Sequence, residues 1–165
     1  EAGGDAVGLA APTEGGVGIE TGLGGRPSSR EAGADQYEAG GGRGRTRLAT
    51  RGGVTLENAH PFGSRSTDGE TVAALAHNGT WYGAPASERA DSYYIARLVE
   101  SFRNAGHDLE RAVREAGDVT GETLLVLDRE GTGYVHAGRF EITDTGGDIA
   151  SSGGIPIADG EVRVI

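Results

Sequence analysis

His77, Asp91 and Ser92 have the residue types of a base, a carboxylate and a nucleophile, and a triad is the first chemistry they suggest. The local pattern argues against it. A serine nucleophile of that kind occupies a glycine-flanked elbow between strand and helix, whereas Ser92 falls inside the start of a helical pattern, Ala90-Asp91-Ser92. His60 and His77 lack HExxH or any comparable metal-ligand spacing, so both read as structural hydrogen-bonders. With no cysteine, the sequence offers no thiolate zinc site, disulfide or cysteine nucleophile. All fifteen basic residues are arginine, and without lysine there is no Walker A loop. Gly40 to Gly44 is glycine-rich but precedes a strand pattern, which disfavours a dinucleotide site. Asn78-Gly79 alone is a hairpin turn signal, and with Thr80 it forms a glycosylation sequon. Arg47, taken alone, could be a surface arginine on a strand.

These residues need elements to hold them. Residues 5–11 and 15–20 read as two short strands around a Pro-Thr-Glu-Gly turn, and Arg45 to Thr50 alternates like a third. Ser28 to Glu38 could form a polar helix. Residues 54–70 read as a loop, with turn chemistry at Asn58, Pro61, Gly63 and Asp68-Gly69. Val72 to Ala76 is an apolar strand ending on His77-Asn78-Gly79. A helix capped by Asp91 follows, with Ile95, Leu98, Val99 and Phe102 on one face and Gly106 as its stop. A second helix is capped by Asp108, carries Leu109, Ala112, Val113 and Ala116 as its stripe, and is expected to end at Gly117. Strands at 122–127 and 133–137 flank an Asp-Arg-Glu-Gly-Thr turn, and weaker ones follow at 139–143, 147–151 and 161–165. This order predicts an α+β fold in which helices pack on antiparallel sheets.

At 165 residues the chain has the length of one domain, with 31 glycines thinning its core. No apolar run approaches the roughly eighteen residues of a membrane span, and no signal peptide is visible. Acidic residues outnumber basic ones by 25 to 15. That balance disfavours nucleic-acid binding; with bases that are all arginine it suits either a halophilic source, where salt near 1 M screens like-charge repulsion beyond about 3 Å, or a high-GC organism that prefers arginine codons. With no methionine, Glu1 is not expected to be a translational start.

Four segments carry the functional reading: Thr46-Arg47-Leu48-Ala49-Thr50-Arg51-Gly52, Asn58-Ala59-His60-Pro61-Phe62, His77-Asn78-Gly79 and Ala90-Asp91-Ser92. In this order they resemble the pattern T-R-x-A-T-x-G, N-A-H-P, H-N-G and T-D of class II glutamine amidotransferases, which are N-terminal-nucleophile (Ntn) hydrolases. Gly3-Gly4-Asp5-Ala6-Val7-Gly8 resembles that family's G-x-D-S-x-G strand, Ile149-Ala150-Ser151-Ser152 its late F-x-A-S-D strand, and Asp159-Gly160-Glu161 its closing D-G-E turn. The resemblance spans nearly the whole chain and implies a single domain, 1–165, with an αββα sandwich of two antiparallel sheets flanked by helices. It implies a glutamine pocket: Arg47 on the α-carboxylate, where a guanidinium pairs bidentately, Asp91 on the ammonium group, and Thr50 as a further contact. It assigns the oxyanion hole to the Asn78 side chain and the Gly79 N–H, where one donor is typically worth ~2.7–4 kcal/mol in the transition state. It implies no cofactor and no metal.

The sequence also departs from the pattern. The family's nucleophile is an N-terminal cysteine whose own amine is the base, but residue 1 is Glu, and the spacing predicts about two dozen residues before it. Ala2 stands in place of an arginine, Arg45 and Arg51 in place of histidines, and Leu48 where an aromatic is frequent. Two readings follow. One is a glutamine-binding amidotransferase-like domain, located in the cytoplasm and inactive as it stands for want of the cysteine. The other is a non-catalytic building block on the same fold, with protein partners in an oligomer or larger assembly such as a haloarchaeal virus particle.

Overall fold

The computed structural model describes residues 6–23, 43–47, 55–138, 143–144, 149–150, 155–157 and 160–164. Its centre is a five-stranded antiparallel sheet built around β5 (Thr71–Asn78) and β6 (Thr123–Asp128). β4 (Phe62–Arg65) flanks β5, while β7 (Gly133–His136) and then β11 (Val162–Val164) extend the sheet beyond β6. Leu75 and Val126 point to one face of this sheet and Ala74 and Leu127 to the other, and all four are buried. Burial on both faces explains why Val72 to Ala76 and Thr123 to Leu127 read as nearly continuous apolar runs without alternation.

Helices α1 (Asp91–Asn104) and α2 (Leu109–Thr120) cover the first face. Ile95, Val99, Ala112, Val113 and Ala116 of the predicted stripes meet Leu75, Leu124 and Val126 there, and Leu98, Phe102 and Leu109 pack half-buried against them. The second face is covered by a three-stranded sheet of β1 (Ala6–Thr13), β2 (Gly16–Leu23) and β3 (Arg43–Arg47), in the order β2-β1-β3. Ala10 and Val17 pack on Ala74 and Leu127. The described residues thus form an α+β sandwich of helices, sheet and sheet. The helix expected over Ser28–Glu38 lies outside them. Three two-residue strands, β8 (Thr143–Asp144), β9 (Ile149–Ala150) and β10 (Ile155–Pro156), form a small antiparallel sheet in the order β10-β8-β9.

Two expectations are corrected. β4 lies inside the segment read as a loop. Phe62 and Ser64 alternate inward and pair with β5 at Leu75 and Ala73, but four residues with one large apolar side chain give too little alternation to see. Gly117 does not end α2, which runs to Thr120 and closes on Gly121. The bare Cα of Gly117 instead makes room for the His136 ring, which a Cβ would overlap. Asp108 is the cap, accepting the Arg111 N–H at 2.8 Å, as its position predicts.

The β6–β7 hairpin is organised by Asp128. Its Oδ1 accepts the N–H groups of Glu130 (3.0 Å) and Thr132 (2.7 Å), and the Tyr134 hydroxyl donates to its Oδ2 at 3.1 Å. Burial, followed by this bond to a carboxylate, pushes the Tyr134 phenol up to about 12. A raised phenol stabilises the fold fully below its ordinary value near 10, and that stabilisation is lost as pH rises through about 12. Ultraviolet titration should therefore find Tyr134 ionising late, and Asp128→Asn should bring its ionisation to lower pH. Among the described residues no helix is long and apolar enough to cross a membrane.

Candidate functional site

The apolar run of β5 ends at His77, and the strand's last residue, Asn78, pairs with Thr123 of β6. His77 is buried, whereas Asn78 is exposed at the strand end. Gly79 follows with φ 136°, a conformation closed to most residues with a Cβ. Residues 80–90 then lead to α1, and buried Asn58 holds the end of this loop. Its Nδ2 donates to the Glu88 carbonyl and its Oδ1 accepts the Ala90 N–H, each at 2.8 Å. Arg89 in this loop stands 5.3 Å from the centroid of the Tyr93 ring on α1, and Arg97 of the same helix stands 5.5 Å from it.

Asp91 is not the cap that its position suggested. Ala90 is the N-cap residue and Asp91 the first residue of α1, only 2% exposed. Its Oδ2 accepts the Trp81 N–H at 2.8 Å, its Oδ1 accepts the Ser92 N–H at 3.0 Å, and His77 Nε2 stands 3.6 Å from Oδ2. The first helical turn favours such a charge, because the N–H groups there carry the positive end of the helix dipole. A competing tertiary partner, the Trp81 amide, has drawn the carboxylate inward.

Ser92 is the centre of the cluster. Its Oγ lies 2.7 Å from His77 Nδ1 and is also hydrogen-bonded to His60 Nε2. His77 Nε2 is in turn 3.1 Å from the Gly79 carbonyl oxygen. The residues of the rejected triad thus do meet, with Ser92 0% exposed and enclosed by two imidazoles. The cluster ties together the His60 loop, the end of β5 and the first turn of α1. Among the described residues no group of three or more His, Asp or Glu side chains converges for a metal ion.

Three of the four sequence segments therefore converge on one locus: Asn58 to His60, His77 to Gly79, and Ala90 to Ser92. The fourth is placed by its backbone. Arg47 ends β3 opposite Ala6 of β1, and two residues along the same pairing Gly8 abuts the backbone of His60-Pro61, a cis peptide. A Cβ on Gly8 would stand 2.8 Å from both the His60 carbonyl carbon and Pro61 Cδ, which explains a glycine there. Thr50 lies outside the described residues, as does the rest of 48–54. Sequence reading missed the Trp81 amide, which no side-chain pattern marks, and the bridge from Asn58, whose residue type indicated only a turn.

Solved structures share this architecture. The chain aligns with the structure described as the allosteric regulatory enzyme of purine biosynthesis (20% identity, TM-score 0.61), covering 85% of this chain and 33% of that one. It aligns with the glutamine phosphoribosylpyrophosphate amidotransferase from B. subtilis complexed with ADP and GMP (19%, TM-score 0.60), covering 87% and 34%. The fold is that of the glutamine amidotransferases. A predicted glutamine amidotransferase from Pseudomonas aeruginosa PA01 matches over 97% of this chain and 84% of its own length (18%, TM-score 0.60). The chain thus spans about one third of the first two structures and most of the third. No family model matches the sequence, and neither does any curated protein.

Proposed function

We propose that this chain is a glutamine-binding domain of the class II amidotransferase type. Arg47 takes the ligand's α-carboxylate, Asp91 its ammonium group, and Thr50 a further polar contact. The Asn78 side chain and the Gly79 N–H receive the oxygen of the side-chain amide. The observation that carries this reading is the junction of the Asn78-Gly79 strand end with buried Asp91, through His77, in a fold shared with glutamine-using enzymes. A carboxylate has about four acceptor positions, and backbone N–H groups fill two of them here, leaving capacity for an ammonium ion. Because that carboxylate is closed to solvent, ligand entry has to shift the chain around it, and the Trp81 amide bonded to its Oδ2 should feel that shift.

Trp81 is the only tryptophan, so its fluorescence reports that shift. Titration of the 165-residue chain with L-glutamine is expected to change Trp81 emission saturably, with a matching calorimetric isotherm. With no cysteine in the sequence, no ammonia should be released. A flat fluorescence and calorimetric response would overturn the glutamine reading and favour the non-catalytic building block. Ammonia production by the purified chain would overturn the inactive one.

A further inference from the structure

We propose that Ser92 is a positioning residue for the Asn78-Gly79 turn, acting through His77, and that the cluster around it is a directed relay of protons. The direction follows from what each atom can do. The Gly79 carbonyl can only accept, so His77 Nε2, 3.1 Å away, carries the hydrogen. In a neutral imidazole Nδ1 is then a bare acceptor, and the Ser92 hydroxyl 2.7 Å away donates to it. The Ser92 oxygen, its own proton committed, accepts from His60 Nε2–H. The order is His60 to Ser92 to His77 to Gly79, with the Asp91 carboxylate 3.6 Å from His77 Nε2 favouring the same tautomer.

Ser92 is the only hydroxyl in this relay, and it spans three chain segments at once: the His60 loop, the end of β5 and the first turn of α1. Without it Nδ1 loses its donor. The Gly79 carbonyl and the Asp91 carboxylate still hold the hydrogen on Nε2, but the ring loses its anchor on the other side and can pivot, which loosens the bond to Gly79. Gly79 has an unusual φ of 136°, so its peptide orientation depends on such a tether. The functional consequence rests on the reading above that this turn receives the ligand's amide oxygen. Ser92 is fully buried with its hydroxyl held between two imidazoles; through His77 it fixes the Gly79 carbonyl, and with it the Gly79 torsions that set where the Gly79 N–H points.

The test combines nitrogen-15 NMR of the histidine rings and the Gly79 amide with ligand binding. In the unaltered chain His77 should show a protonated Nε2 and a bare Nδ1. Ser92→Ala should shift the His77 Nδ1 resonance, which loses its hydrogen bond, and move the Gly79 amide resonance while leaving that of Gly131, in the distant β6–β7 turn, in place. It should weaken L-glutamate, whose γ-carboxylate puts charge on the Gly79 donor, by about tenfold more than L-glutamine. Ser92→Thr, which keeps the hydroxyl, should restore all three signals. If the alanine chain does not fold, Ser92→Cys, with only a weak S–H donor, should show the same changes in smaller measure. Unchanged His77 Nδ1 and Gly79 resonances in Ser92→Ala would overturn the proposal. So would equal losses for both ligands with no change at His77, the mark of a packing role alone. If the unaltered chain binds neither ligand, the glutamine reading falls while the two NMR signals still decide the role of Ser92.

Discussion

Gly8→Ala is expected to destabilise the protein by about 3 kcal/mol or more and to lower its Tm by about 6–12 °C. β1 is the middle strand of its sheet, with Gly8 opposite Thr21 on one side and Arg45 on the other. The added Cβ would press on the carbonyl of His60 and the ring of Pro61, and on the carbonyl side the obstacle is backbone, not the yielding end of a side chain. Relief requires either the pairing of β1 or the His60 loop to move. The second route carries His60 away from Ser92, so the cluster should loosen together with the sheet packing. Gly15→Ala is the internal control: nothing lies within 4 Å of a Cβ there, and its effect should stay within about 0.5 kcal/mol. Urea denaturation of both variants gives the comparison. Equal midpoints would mean that β1 does not lie against the His60-Pro61 backbone.

This contact shows why some of the molecule could be read from sequence and some could not. β5, β6 and the two helices announce themselves because burial imposes a periodicity on several residues at once: Ile95 and Val99 on α1, Ala112, Val113 and Ala116 on α2. β4 does not, because its pairing with β5 depends on backbone bonds and on one large apolar residue, Phe62. The site divides in the same way. The order of the four segments pointed to Asn78, Gly79 and Asp91, and the structure brings these three to one locus. How they are held was not legible, since the links run through a backbone amide at Trp81 and through Asn58, 32 residues from the Ala90 amide it receives. The local pattern around Ser92 argued against a triad, and it gave no sign that His77, Asp91 and Ser92 meet. The structure brings the three side chains together, with Ser92 buried between two imidazoles. The cap assignment failed because Ser, Thr, Asp and Asn signal a helix start by type, while tertiary partners decide the position. At the head of α1 the structure shifts Asp91 one residue inward and leaves the cap to Ala90.

Asp91→Asn should reduce affinity for L-glutamine by about tenfold or more and cost about 1–3 kcal/mol of stability. The stability loss follows from donor arithmetic. Both carboxylate oxygens accept a backbone N–H, from Trp81 and from Ser92. An asparagine supplies one oxygen, so its amide group must turn a donor toward one of those N–H groups. Because the fold itself is disturbed, weaker binding alone would not prove contact with the ligand's ammonium group. Glutaramic acid, which is glutamine without its α-amine, separates the two effects when each ligand is measured against each protein. If Asp91 holds the amine, removing the amine costs affinity in the unaltered chain and almost none in the variant, so the two changes are strongly non-additive. If Asp91 only anchors the Trp81 segment, the two losses add, and the ammonium role passes to another residue. The Trp81 emission should follow the same pattern, because this carboxylate is bonded to the backbone of the residue that reports the binding.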